Sequence, residues 1–296
     1  MNDFDKSYIN AIDNFDKELS RLLKRQFLFA RDSDGNFASL ATVADHPISK
    51  RLRQIKTCLD AYNNYEGAGL PSIATDKLNR LYASYFNVKM LVQGLKRIEQ
   101  HGLTLLDNFA DMLRDSNEDN YYGDRLELQV ASLLISKNIV FTKSESPDFL
   151  ITWKNQAVGF ECTSVHYQTT RPSHRTLQEK IRKAINVKAK KSYAGKNTAV
   201  FMDITNVHSF STDDDNLLGD PVSLKNYLGN KLRRTNYGSI VAFTYIYENT
   251  PSLSWTLASR VDSPSIDPGL SDFLNAAVGP SSTIMVVQNA VVPSFV

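Results

Sequence analysis

The chain has 296 residues, 42% hydrophobic and 22% charged, which favours a globular protein with one large or two modest domains. Lys and Arg number 34 against 32 Asp and Glu, so the net charge of +2 excludes a bulk attraction to polyanions, and nucleic-acid binding would need a local basic patch. Two cysteines, Cys58 and Cys162, exclude a disulfide framework, and together with a polar N-terminus and the lack of a long apolar run they predict a cytoplasmic protein without a membrane span.

The first part of the chain has a helical period. Apolar residues recur at three- and four-residue steps from Tyr8 to Leu22. Further helices are predicted around 52–59, over 78–98 with Thr75 as N-cap, and over 103–113. A polar segment, RDSNEDNYYGD, follows them. We therefore predict an all-α N-terminal domain over residues 1–116, which could bind a target, form a homo-oligomer or contact a partner protein.

The second part of the chain changes to one helix followed by short apolar runs with strand character. Strands are predicted at 139–142, 149–153, 157–162, 198–204 and 239–247, with further strands at 253–257 and 284–287. Helices are predicted at about 173–193 and 224–232. This order predicts a mixed α/β sheet flanked by helices over residues 117–296, with a Ser- and Pro-rich C-terminal extension.

One segment, SPDFLITWKNQAVGFECTS, predicts a hairpin with a tight turn at Lys154 and Asn155. A turn centred there makes one hairpin face apolar and places Asp148 opposite Glu161. Like charges in opposed positions destabilise a strand pair, whereas a divalent cation such as Mg²⁺ would coordinate both carboxylates. The alternative is that Asp148 only starts its strand and that Glu161 is solvated or paired with a lysine.

The ordered motif residues are Gly123-x3-Glu127 opening an amphipathic helix, then Pro147-Asp148 and Phe160-Glu161-Cys162-Thr163 on successive strands. Over about residues 120–205 this set resembles the PD-(D/E)xK nuclease superfamily. The resemblance implies a restriction-endonuclease-like sheet, with Asp148 and Glu161 as metal ligands and Glu127 as a third carboxylate. A helix-dipole preference for glutamate in the first turn explains Glu127 equally well.

The lysine that usually ends the family motif is replaced by Thr163. Some members, including cap-snatching endonucleases of segmented RNA viruses, carry this lysine on the following helix, and the arrangement here is similar. The helical period places Lys188 within the apolar face of that helix and Lys180 on its margin. A lysine in an apolar stripe extends to solvent or finds an anion. Lys188 is therefore our first choice for the relocated lysine and Lys180 our second.

These expectations combine into a metal-dependent endonuclease that hydrolyses phosphodiester bonds of DNA or RNA with Mg²⁺ or Mn²⁺. Either Lys188 or Lys180 would stabilise the developing negative charge. Because Thr163 cannot supply a positive charge, the alternative is a degenerate nuclease fold that acts as a nucleic-acid- or protein-binding module.

Overall fold

A computed structural model describes residues 3–27, 29–31, 37–40, 46–63, 75–166, 177–205, 221–247, 253–281 and 284–290. These residues form two compact units. The helical unit comprises the described residues within Met1–Ser132, together with Tyr247 and Leu253. The sheet unit comprises those within Leu133–Ile246 and Ser254–Ala290.

The helical unit contains the helices that the apolar period predicts. Its elements are α1 (Asp3–Leu23), β1 (Phe29–Arg31), β2 (Phe37–Leu40), α2 (Pro47–Asn63), α3 (Thr75–His101), α4 (Leu103–Asp115) and most of α5 (Glu118–Ser136). Fully buried apolar side chains on four of these helices form its core, among them Leu19, Leu52, Leu95 and Phe109. The prediction of an all-α domain needs a correction, because β1 and β2 pair as antiparallel strands. Their short, aromatic-rich sequences suit a strand and are too brief for a helical period.

The sheet unit is a mixed α/β structure, as predicted. After the end of α5 its elements are β3 (Thr142–Lys143), β4 (Phe149–Trp153), β5 (Gln156–Ser164), α6 (Leu177–Lys188), β6 (Thr198–Asp203), α7 (Pro221–Leu232), β7 (Ser239–Tyr247), β8 (Leu253–Asp262), α8 (Pro268–Ala277) and β9 (Ile284–Ala290). The strand order is β3-β4-β5-β6-β7-β8-β9. The pairs β3-β4 and β4-β5 are antiparallel, whereas β5-β6 and β6-β7 are parallel.

Helices cover both faces of this sheet. On one face, α6 and α7 bury an apolar cluster that includes Ile181, Ile185, Leu228, Val200 and Met202. Glu161 pairs with Val200 in the parallel register of β5 and β6, so the two side chains share this face.

On the opposite face, Phe160 contacts Phe201 of β6 at a ring-centroid distance of 5.0 Å. It also contacts Phe273 of α8 at a ring-centroid distance of 4.9 Å. Helix α8 lies in the region that we predicted only as a Ser- and Pro-rich extension. Its signals are Asp267, whose carboxylate accepts from the backbone N–H groups of Gly269 and Leu270 at 2.8 and 3.1 Å, and Pro268 at the first helical position. Helix α8 therefore packs through Phe273 against Phe160 and Trp153 of the β4–β5 hairpin.

The hairpin itself confirms the predicted register. Lys154 and Asn155 both have positive φ, 48° and 67°, as the two central residues of a type I′ turn require. Phe149 pairs with Phe160, and each later pair of β4 and β5 follows the same spacing down to the turn. The two strands therefore meet in the register that brings Asp148 and Glu161 to the same level.

In the helical unit, His46 links α2 to α4 and is buried. Its Nδ1 accepts from the backbone N–H of Ile48 at 3.2 Å, and its Nε2 lies 3.0 Å from the carbonyl oxygen of Leu113. These partners assign the proton to Nε2 of a neutral ring. Burial, as the largest cause, lowers the pKa of His46 below its ordinary value.

Because the folded-state pKa of His46 lies below the unfolded value of about 6.5, the unfolded chain takes up the proton first as the pH falls. The stability that neutral His46 contributes is complete above pH of about 6.5 and is lost as the pH falls through the folded-state pKa.

His46→Asn keeps an acceptor for Ile48 and cannot titrate. We expect it to lose less unfolding free energy than the wild type on acidification from about pH 7 to pH 5, measured by urea denaturation. His101→Asn, at the exposed end of α3, should follow the wild type, and an equal loss in all three proteins would contradict the prediction.

Candidate functional site

Two carboxylates are buried together on the β4–β5 hairpin. Asp148 directly precedes β4 and is 8% exposed, and Glu161 lies within β5 and is 2% exposed. The backbone N–H of Cys162 donates to Asp148 Oδ2 at 2.6 Å. This bond crosses from one strand to the other and holds Asp148 beside the backbone of Glu161. The observed ladder ends at Phe149 and Phe160, and one further step in the same register would set Asp148 opposite Glu161, the pairing that the sequence predicts.

Lys188, the last residue of α6, contacts Glu161. Its Nζ forms an ion pair with Glu161 Oε1. Ile181 and Ile185 on the same helix are buried in the apolar cluster, so Lys188 follows the inward face of α6, although Val187 beside it is 53% exposed. Of the two alternatives that the sequence leaves for Lys188, extension to solvent or pairing with an anion, the structure shows the second, with Glu161 as the anion.

The remaining predicted site residues are Lys180 and Glu127. Lys180 Nζ donates to the carbonyl oxygen of His166 at 3.1 Å. Glu127 lies on α5 within the residues of the helical unit, and its assignment as a third carboxylate ligand stays a prediction. Of the two lysines considered from sequence, Lys188 is the one that the structure shows in contact with Glu161.

Two tyrosines complete the surroundings of Glu161. Tyr193, in the loop between α6 and β6, donates its hydroxyl proton to Glu161 Oε2. Tyr237, just before β7, donates to the backbone carbonyl oxygen of Lys188 at 2.9 Å. Sequence reasoning missed both residues, because neither belongs to a motif or a periodic face. Glu161 is therefore held at one oxygen by an ammonium group and at the other by a phenol.

The electrostatic surroundings keep both phenols protonated. Burial raises the pKa of Tyr193, and the hydrogen bond to Glu161 and the charges of Glu161 and Asp148 raise it further. Burial also raises the pKa of Tyr237, again with contributions from both carboxylates. The negative charges of Asp148 and Glu161 thus raise the pKa of both phenols, as expected for a titratable group near like charges. At neutral pH both hydroxyl groups are available as donors.

The donor set fits a hard divalent cation. Mg²⁺ is commonly held by one or two carboxylates and keeps several water ligands. Among the residues that the structure describes, no three His, Cys, Asp or Glu side chains are grouped as a ready-made metal site. Asp148 and Glu161 offer two carboxylates, and water would supply further ligands. Each carboxylate oxygen has two lone pairs. Glu161 can therefore accept from Lys188 and Tyr193 and still coordinate a cation.

Comparison with protein families and with curated proteins finds no match for this chain. None of the described helices is long and apolar enough to cross a bilayer. The assignment of this site therefore depends on the residues of the chain itself.

The ion pair between Lys188 and Glu161 predicts a measurable coupling in stability. Lys188→Met leaves Glu161 buried without its ammonium partner, and we expect a loss of about 2 kcal/mol, below the range for fully buried pairs because the Lys188 side chain is 22% exposed. Glu161→Gln should also destabilise the protein. The double variant should lose less than the sum of the single losses, with a coupling of about 1 kcal/mol.

Equilibrium denaturation of the wild type, the two single variants and the double variant in metal-free buffer measures this coupling. Lys183→Met is the matched control, because Lys183 lies on the same helix and is exposed, and its effect should stay within about 0.5 kcal/mol. Strictly additive losses in the double variant would show that the pair contributes no coupling.

Proposed function

We propose that the sheet unit carries a Mg²⁺- or Mn²⁺-dependent endonuclease site that hydrolyses phosphodiester bonds of DNA or RNA. The observation that carries this proposal is that Asp148 is hydrogen-bonded to the backbone next to Glu161, while Glu161 is ion-paired with Lys188. A mixed sheet with this hairpin at the antiparallel end and α6 across it also suits the restriction-endonuclease-like fold that the motif order implies.

Each residue has a role that its position supports. Asp148 and Glu161 would hold the cation, which when bound lowers the pKa of water and shields the charge of the phosphate. Lys188 has three N–H donors, so its bond to Glu161 leaves donors for a phosphate oxygen. A fixed ammonium group at that position stabilises negative charge as it develops in the transition state.

Exposed lysines that are close to Lys188 in the sequence support a polyanionic substrate. The net charge of +2 provides no bulk attraction. Lys183 on α6 and Lys190 and Lys191 just after it are exposed, and they lie within a few residues of Lys188. Lysines placed along one segment can contact successive phosphates and release their counterions. We therefore expect the strength of nucleic-acid binding to fall as salt is raised.

A specific observation also supports a second candidate, a binding module without catalysis. Thr163 occupies the usual position of the family lysine, and both oxygens of Glu161 are already bonded to protein donors. The same contacts would serve a structural ion pair that needs no metal. The two candidates differ in cleavage. The nuclease would cleave nucleic acid and would need both carboxylates to do so, whereas the binding module would not cleave.

The deciding experiment is a cleavage assay with Mn²⁺ or Mg²⁺ on single- and double-stranded DNA and RNA. We expect the wild type to cleave at least one of these substrates, and a chelator to abolish cleavage. Asp148→Asn, Glu161→Gln and Lys188→Met should each reduce the rate by about 10²- to 10³-fold, because each removes a group that acts on the transition state.

Matched controls separate the site from general charge effects. Asp272→Asn removes a half-exposed carboxylate from α8 that pairs with Lys154, and Lys180→Met removes the lysine bonded to His166; both should retain wild-type rates. If the wild type cleaves none of the substrates and Asp148→Asn does not alter Mn²⁺ binding, the nuclease proposal fails. Metal-independent binding of nucleic acid without cleavage would then support the binding module.

A further inference from the structure

The hydroxyl group of Tyr193 is directed at the carboxylate that the proposed function assigns to the cation. It donates to Glu161 Oε2, while Lys188 occupies Glu161 Oε1. Two donors at the two oxygens fix both the position and the plane of the carboxylate. A ligand held in one orientation loses less conformational freedom when a cation binds to it.

The loop that carries Tyr193 is anchored at both sides. Thr198, at the start of β6, donates its hydroxyl proton to the carbonyl oxygen of Tyr193 at 3.3 Å. Tyr237 holds the carbonyl oxygen of Lys188 at the other end of the loop. The phenol is thus presented from a supported backbone, and its direction toward Glu161 does not depend on a freely moving segment.

We propose that Tyr193 is a positioning residue of the cation site, which orients Glu161 through its hydroxyl group and thereby sets the affinity for Mg²⁺ or Mn²⁺. This inference depends on the proposed function, because it requires that Glu161 coordinate a cation. Carboxylate ligands of metals are themselves hydrogen-bonded in most sites, and loss of such an outer partner lowers metal affinity by about 10- to 100-fold. Tyr193 acts through Glu161 and does not touch the substrate.

The test measures Mn²⁺ binding to the full chain by calorimetry or by electron paramagnetic resonance, without nucleic acid. Tyr193→Phe keeps the ring and removes only the hydroxyl group. We expect the dissociation constant for Mn²⁺ to rise by about tenfold. Tyr227→Phe is the matched control, because the Tyr227 hydroxyl donates to the carbonyl oxygen of Gln178 on α6 at 2.5 Å, away from Glu161; its Mn²⁺ affinity should equal that of the wild type.

A second background separates positioning from a general effect on the fold. Glu161→Gln should weaken Mn²⁺ binding strongly, and adding Tyr193→Phe to it should cause little further loss, because the hydroxyl group then has no ligand to orient. A purely structural role of Tyr193 would instead lower affinity equally in both backgrounds. Thermal unfolding without metal confirms that each variant is folded.

The outcomes distinguish this inference from the proposed function. If the wild type binds Mn²⁺, Glu161→Gln binds it much more weakly and Tyr193→Phe binds it as tightly as the wild type or more tightly, the positioning role is overturned while the metal site stands. An equal loss on Tyr193→Phe in both backgrounds also overturns it. If the wild type binds no Mn²⁺, both the metal-dependent function and this inference fail.

Discussion

The turn at Lys154 and Asn155 sets the register on which every contact of the candidate site depends. Both residues adopt positive φ, and the type I′ geometry matches the twist of the strands that it joins. A shift of one residue would move Glu161 to the other face of the sheet, where Phe160 now meets Phe273 of α8. The apolar packing behind the hairpin therefore resists that shift and holds the carboxylates toward α6.

Helix α6 connects the core of the sheet unit to its charged groups. Ile181 and Ile185 bury the helix against Val200 and Met202, and this packing fixes the height and rotation at which Lys188 emerges. Tyr237 then donates to the carbonyl oxygen of Lys188 at the end of the helix, which also accepts the backbone N–H of Lys191 at 3.0 Å. The position of the ammonium group is thus a consequence of apolar packing one and two turns earlier. A loss of packing there would displace Lys188 without touching Glu161.

Much of this arrangement could be predicted from local pattern. The hairpin register follows from turn chemistry and from alternation of apolar residues, both of which act over neighbouring positions. The inward direction of Lys188 follows from the helical period in the same way. Tyr193 and Tyr237 could not be predicted, because they reach Glu161 and Lys188 only after the loop before β6 and the start of β7 fold against the sheet.

Two errors of the sequence prediction have the same origin. The strands β1 and β2 and the helix α8 are short, so their periodic signals are weak. For α8 a stronger signal existed in the cap, since Asp267 followed by Pro268 is a typical helix start. In the structure Asp267 binds two backbone N–H groups as that signal implies. Capping residues therefore deserve the same weight as periodicity in a Ser- and Pro-rich region.

The position of Lys188 is related to the apolar layer that α6 and α7 form over the sheet. Thr163 pairs with Met202, which is fully buried beneath α6 and α7. Thr163 itself is partly exposed and lies about 7 Å along the strand from Glu161, so a lysine at this position would have to extend back over the apolar layer to contact Glu161, at a desolvation cost. Lys188 approaches from the end of α6 and keeps 22% of its side chain exposed. From the end of α6 the ammonium group of Lys188 contacts Glu161 and remains in reach of solvent.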